Sequence, residues 1–122
     1  MSIVIEVGSS TVKAGFSGDK TPTLVFPAIV GKSREDSEDE QEDFIVGEID
    51  DEGEFDYSYP IGAKGAIKNW HYLEMLYSHT IAKLLKIKPE ASEGIFIIEP
   101  LGSDIDRRED IATMMFETFK VP

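Results

Sequence analysis

The chain has 122 residues, a mass of 13.6 kDa and a formal net charge of −12 at pH 7, which fits one small acidic domain. It has no cysteine, which excludes disulfides and thiolate metal sites and fits a reducing compartment. Its apolar stretches are far shorter than the roughly 20 residues of a membrane span, and it opens on a strand pattern rather than on a signal sequence. We expect a soluble, intracellular protein in the cytoplasm or the nucleus.

The first predicted elements are strands joined by a polar turn. Ser2–Val7 and Val12–Gly18 predict a pair of strands, and Thr23–Pro27 predicts a third. The turn between the first two is Gly8–Thr11. Its glycine lets the backbone approach an anion closely, and its N–H groups and three hydroxyls can donate hydrogen bonds to phosphate oxygens.

Two charged residues flank this turn. Lys13 can reach a phosphate as a point charge, and Glu6 lies where a carboxylate can hold the water shell of a metal ion. The hairpin therefore predicts a phosphate site, although the same glycine-serine turn also suits a plain connection between strands. The site is not of the P-loop or dinucleotide-binding type, because neither G-x-x-x-x-G-K-[ST] nor G-x-G-x-x-G occurs.

The acidity of the chain is concentrated in one segment, Glu35–Asp56. This segment holds 13 of the 24 acidic residues and no lysine or arginine, so the rest, with 11 acids and 12 bases, is close to neutral. Such a run repels nucleic acid and attracts basic partners, but it is most often a solvated loop. Lys32–Asp43 is too polar to pack and predicts a loop, and Phe44–Gly47 predicts a short strand.

A long helix is predicted next, with Asn69 as its N-cap and an end near Lys86. Its apolar side chains recur at helical spacing; they are Trp70, Leu73, Leu76, Tyr77, Ile81, Leu84 and Leu85. This spacing makes Trp70 and Tyr77 core residues rather than base-stacking ones. The two histidines predict no metal site, because no third ligand matches their spacing.

The last predicted elements are a strand and a helix. Gly94–Ile98 is a continuous apolar run, typical of a strand buried on both faces. Ser103 or Asp104 can cap a second helix, on which three apolar residues form an i, i+4 stripe; they are Ile111, Met115 and Phe119. Strands followed by a helix, a strand and a helix predict an α/β fold with a mixed sheet and flanking helices.

Five motifs stand in the same order as in a known family. They are the opening hairpin, Val25–Gly31, Tyr59–Ile61, Lys68–Trp70 and Met115–Phe119. Together they resemble the first third of actin and its relatives, over essentially the whole chain. The resemblance implies the N-terminal part of the actin-like, ribonuclease H-like ATPase fold. It implies a large-domain core formed by 1–31 and 57–122, and an acidic loop and short strand of the small subdomain at 32–56.

The resemblance also implies a cofactor, ATP or ADP with Mg²⁺. The residues it assigns to the nucleotide phosphates are Gly8, Ser9, Ser10, Thr11 and Lys13, and it assigns the magnesium water shell to Glu6. Two of these positions depart from the family pattern. Glu6 replaces an aspartate and is one methylene longer, which can displace the metal, and Ser10 replaces a second glycine, so its Cβ can crowd a phosphate.

Two functions follow from this interpretation. In the first, the chain is the N-terminal portion of an actin-like or actin-related protein, contributes the first phosphate-binding loop of an ATP cleft, and serves as a structural subunit of a cytoskeletal or chromatin-remodelling assembly. In the second, it is a non-catalytic interaction module whose acidic loop docks basic partners. Expected partners are other subunits, such as actin or another actin-related protein, with no direct nucleic-acid or membrane contact.

The acidic loop favours a role other than filament formation. Actin-like filaments place an apolar loop tip in the neighbouring subunit, whereas the matching stretch Ser33–Glu42 has no apolar residue at all. Like charges brought together at repeated subunit contacts oppose self-assembly.

We expect no catalytic residue and no ATP hydrolysis in this chain alone. Two histidines without a cysteine build no nucleophile–base triad. The resemblance adds that the second phosphate loop and the residues that position water lie outside these 122 residues. One hairpin without its opposing wall leaves a phosphate in solvent, where charge contacts are weak.

Overall fold

The computed structural model describes residues 2–34, 44–49, 53–62, 65–91, 93–99 and 105–118, with the backbone only at 105, 106 and 118. Its strands are β1 (Ile3–Val7), β2 (Thr11–Phe16), β3 (Leu24–Pro27), β4 (Val30–Ser33), β5 (Phe44–Val46), β6 (Phe55–Ser58) and β7 (Ile95–Ile98). Its helices are α1 (Trp70–Ile87) and α2 (Ile105–Thr113), with a 3₁₀ turn at Pro89–Ala91 and a π-helical turn at Met114–Thr118.

Four strands form a mixed sheet in the order β3-β2-β1-β7. β2 is antiparallel to both of its neighbours, and β7 runs parallel to β1. Ile3, Ile5 and Val7 of β1 are buried and the residues between them are half-buried, because successive side chains of a strand point to opposite faces. The mixed sheet and its helices confirm the predicted α/β class, and the first three strands lie where the sequence predicts them.

The other three strands form an antiparallel sheet in the order β5-β4-β6. The predicted strand at Phe44 is confirmed. The predicted loop over Lys32–Asp43 is wrong at its start, because Lys32 and Ser33 belong to β4. β4 is the central strand, so ladder hydrogen bonds on both sides hold this polar stretch in the sheet while the lysine side chain stays exposed. Residues 35–43 lie outside the described residues, and the division of the chain at 32–56 stays a prediction.

The helix α1 begins and ends close to the predicted positions. The side chain of Asn69 caps it by accepting a hydrogen bond from the N–H of Tyr72, at 3.0 Å. Its last residue, Ile87, lies one residue beyond the predicted end. The buried face comprises Leu73, Leu76, Tyr77, Thr80 and Leu84. The hydroxyl of Thr80 donates to the carbonyl oxygen of Leu76 at 2.7 Å, so this buried polar group is satisfied.

Trp70 is not the core residue that the helical spacing predicts. Its exposed fraction is 38%, whereas that of Tyr77, the other aromatic residue placed in the core, is 3%. Trp70 has the correct helical phase, but it is the first residue of α1. No earlier turn of the helix flanks it, so part of the ring stays in contact with water.

The strand β7 is also more exposed than the sequence predicts. The sequence predicts a strand buried on both faces, but Phe96 and Ile98 are 62% and 48% exposed. Ile95 and Ile97, which alternate with them, are half-buried and pack against the core. β7 is the edge of its sheet within the described residues, and the packed core lies on the other face. Its apolar sequence therefore does not reveal that one face is open.

The helix α2 confirms part of the predicted stripe. Ile111 and Met115 are buried against the core, although the backbone widens into a π-helical turn from Met114 onward. The candidate caps Ser103 and Asp104, and Phe119 of the stripe, lie outside the described residues. None of the helices in the described part of the chain is long and apolar enough to cross a membrane.

Candidate functional site

The polar turn at the end of the first hairpin is closed by its own backbone. The N–H of Gly8 donates to the carbonyl oxygen of Thr11 at 2.9 Å, which leaves Ser9 and Ser10 at the tip, both exposed. A Cβ on Gly8 would lie 3.3 Å from that carbonyl oxygen, so a side chain there would crowd the closing bond. The absence of a side chain at Gly8 therefore serves the hairpin itself.

This bond also determines which of the predicted phosphate donors are available to a ligand. The N–H of Gly8 is already hydrogen-bonded within the hairpin, so it is not available. The N–H groups of Ser9 and Ser10 have no backbone acceptor among the described residues. The hydroxyl oxygens of Ser10 and Thr11 lie 3.4 Å apart, so they form a pair of hydroxyls at one side of the tip.

A second contact fixes where the turn lies. The carbonyl oxygen of Ser10 accepts a hydrogen bond of 2.9 Å from the N–H of Ala28, which is 1% exposed. Ala28 belongs to the two-residue connection between β3 and β4, and therefore between the two sheets. The tip is thus held from behind by a buried part of the chain while its hydroxyls face solvent.

Glu6 and Lys13 are brought together by the strand register. They are direct partners across β1 and β2, so they lie on the same face of the sheet. Glu6 is half-buried and Lys13 is exposed. Both line a depression of about 310 Å³, to which Asp19 and Lys20 of the next loop also contribute. Gly8–Thr11 is not part of that depression; it lies at the adjacent end of the sheet.

The donors fit a phosphate better than they fit a bare metal ion. Exposed N–H groups, hydroxyls and a lysine ammonium all donate hydrogen bonds or carry positive charge. Glu6 is a single carboxylate, and within the described ranges no group of three or more histidine, aspartate or glutamate side chains could hold a metal ion. A magnesium ion here would therefore be held through its water shell and by phosphate oxygens, as is common for this ion.

Sequence reasoning missed the bond between Ser10 and Ala28 and the loop residues Asp19 and Lys20 near Lys13. The first joins residues of two different segments, and no local pattern marks it. The loop could have been found, because Gly18 and Pro22 mark a turn that returns toward the same strand.

One comparison with known proteins bears on this chain. The model of the protein family described as Actin matches residues 1–122.

Proposed function

The chain belongs to the actin family, and from this premise we propose that its first hairpin contributes one side of a nucleotide-binding cleft. The ligand is the phosphate chain of ATP or ADP with Mg²⁺. In this proposal Ser9, Ser10 and Thr11 donate to phosphate oxygens, Lys13 adds a positive charge, and Glu6 orders water around the metal. The protein acts as a structural subunit of a larger assembly, either cytoskeletal or chromatin-remodelling.

The observation that carries the proposal is the arrangement at the tip of the turn. The N–H groups of Ser9 and Ser10, for which the described residues offer no backbone acceptor, lie beside two adjacent hydroxyls, on a backbone that the Ser10–Ala28 bond holds in place. Because these donors are already held in position, binding an anion would cost them little conformational entropy.

The charges supply the second argument. Lys13 follows the turn by two residues on β2, and Glu6 precedes it by two residues on β1. A lysine contact to phosphate is a charge-assisted hydrogen bond, stronger than a neutral one. When bound, magnesium would neutralise part of the phosphate charge, and the carboxylate of Glu6 would accept hydrogen bonds from its water ligands.

The two departures from the family pattern, at Glu6 and Ser10, favour nucleotide binding over catalysis. Because Glu6 is one methylene longer than an aspartate, its carboxylate can extend farther from the strand backbone. Ser10 adds a Cβ at the tip, where the family has a second glycine. We therefore propose no hydrolytic step for this chain.

The test is a titration of the chain with ADP and ATP, with and without Mg²⁺, followed by the amide resonances of the turn. The proposal expects the resonances of Ser9 and Ser10 to shift with either nucleotide. Adenosine, which lacks phosphates, is the control and should leave them in place. Equal shifts with adenosine, or shifts confined to residues far from the turn, would overturn the assignment.

A second function has its own supporting observation, the acidic segment Glu35–Asp56 with its 13 acidic residues and no base. In this alternative the chain is a non-catalytic interaction module, and the segment docks a basic partner. The side-chain ion pair between Arg34 and Asp56, at 2.8 Å, lies where β4 and β6 meet this segment. Binding that weakens steeply with salt and ignores nucleotide would favour this alternative.

A further inference from the structure

Both histidines of the chain lie on α1, and each packs edge-on against a phenylalanine of a different sheet. His79 lies against Phe26 of β3, with ring centroids 5.6 Å apart and an angle of 79° between the rings. His71 lies against Phe44 of β5, at 6.3 Å and 78°. The two imidazoles therefore stand where the helix meets each sheet.

Phe26 extends the contact of His79 to the second sheet. Gly47, directly after β5, has a φ of +75°, and a Cβ built on it would lie 2.7 Å from Cδ2 of Phe26. The phenylalanine ring thus packs directly on the glycine backbone, and no other residue type fits there without strain. His79, Phe26 and Gly47 form one continuous contact from α1 to the end of β5.

Each residue of the connection between the two sheets is hydrogen-bonded to one of them. The carbonyl oxygen of Ile29 accepts from the N–H of Gly47 at 2.9 Å, next to the second sheet, and the N–H of Ala28 donates to the carbonyl oxygen of Ser10, next to the first. A change in the packing of Phe26 therefore acts on both ends of the connection between the sheets.

The two sheets differ in how firmly they are held. Ile5 of the four-stranded sheet and Leu73 and Leu84 of α1 are fully buried. In the second sheet Val30 of β4 is fully buried, but every residue of β5 is only half-buried and β6 alternates between half-buried and exposed. The outer strands β5 and β6 therefore have less buried apolar surface to lose, so they are the part that a local change can release.

The surroundings of His79 oppose a positive charge on its ring. Burial lowers its pKa below the ordinary value of 6.5, Lys83 on the next turn of α1 lowers it further, and Glu48 beyond β5 raises it. β3, the other element against the ring, contributes no charged residue. Because the packed ring holds its proton less tightly than a solvated one, release of the contact takes up a proton and becomes more favourable as pH falls.

We propose that His79, Phe26 and Gly47 form a pH-sensitive joint, in which protonation of His79 releases Gly47 and the end of β5 from Phe26 while the four-stranded sheet stays folded. The joint would let mild acidity loosen the part of the chain that carries the acidic segment.

The test is amide hydrogen exchange of the 122-residue chain, followed by NMR from about pH 8 to about pH 5, with protection factors corrected for intrinsic exchange. Below pH 6.5 the protection of Gly47 should fall by up to about tenfold for each pH unit, the slope for one proton taken up. The protection of Ile5 in β1 should stay constant.

Two matched variants assign the effect to one ring. His79→Gln should abolish the pH dependence at Gly47, with His79→Phe as a second neutral replacement should the glutamine variant fail to fold. His71→Gln, on the same helix and in the same kind of contact but exposed, should retain it. The proposal is overturned if Ile5 loses protection together with Gly47, if the His79 variants keep the slope, or if His71→Gln removes it.

Discussion

Glu6 and Lys13 lie directly opposite each other on β1 and β2, each two residues from the turn Gly8–Thr11. Directly opposed side chains have Cβ atoms about 4.5–5.5 Å apart. A phosphate and its metal ion arriving at the turn would therefore meet a base on one strand and an acid on the other. This register makes the two residues one functional unit, although seven positions separate them in the sequence.

The first prediction concerns Lys13. In a protein that carries both halves of the cleft, Lys13→Ala should weaken binding of ATP with Mg²⁺ by at least several-fold, because a hydrogen bond to a charged group contributes about 1.5–3 kcal/mol. Isothermal calorimetry measures the change. Lys20→Ala is the matched control, since Lys20 lines the same depression but lies in the loop after β2, away from the turn. Equal losses for both variants would point to general charge attraction rather than to a contact.

The second prediction concerns Gly31 at the centre of the second sheet. A Cβ there would lie 2.7 Å from Cγ2 of Ile45 and 2.7 Å from Cε1 of Tyr57, whose side chains cross over β4. Gly31→Ala should reduce the free energy of unfolding by about 1–3 kcal/mol, the usual range for overpacking. Gly94→Ala is the control, because a Cβ at Gly94 meets only Oγ of Ser2, at 3.8 Å. Urea denaturation gives both values, and an unchanged stability of Gly31→Ala would contradict this close packing.

The third prediction compares two residues of α1. Leu73 is fully buried, whereas Trp70 is 38% exposed. Leu73→Ala should cost about 2–5 kcal/mol of unfolding free energy, as for other buried leucines. Trp70→Ala should cost less, although it removes a larger side chain. If thermal or chemical denaturation shows a larger loss of stability for Trp70→Ala than for Leu73→Ala, Trp70 is a core residue after all.

The fourth prediction concerns the acidic segment. Replacing Glu38, Asp39, Glu40 and Glu42 with serine should reduce the amount of partner protein recovered in a pull-down from nuclear or cytoplasmic extract. With the unmodified chain, the amount recovered should fall as the salt concentration rises. The control removes the same charge from exposed positions elsewhere, at Glu90, Glu109, Asp110 and Glu117. Unchanged recovery in the first variant would leave the segment as a solvated spacer.

The elements that local patterns determine could be predicted from the sequence alone. Asn69 caps α1 as predicted because a cap needs only its own side chain and an N–H three residues later. The pairing of Glu6 with Lys13 follows from the length of the turn, which has two residues, Ser9 and Ser10, at its tip, since loop length sets the register of a hairpin. The residue types of the candidate site were visible for the same reason: donors, base and acid all lie within eight consecutive positions.

Which surfaces are covered and how the turn is held depend on contacts between elements that are distant in sequence. Phe96 and Ile98 belong to an apolar strand, yet their exposure depends on what packs against that face of the sheet, which no local pattern records. Likewise, the bond from Ala28 to Ser10 joins segments that are distant in sequence, and it depends on where the connection between the sheets passes. Periodicity specifies which side of an element is apolar; burial is a property of two elements in contact, and so it arises only when the chain is folded.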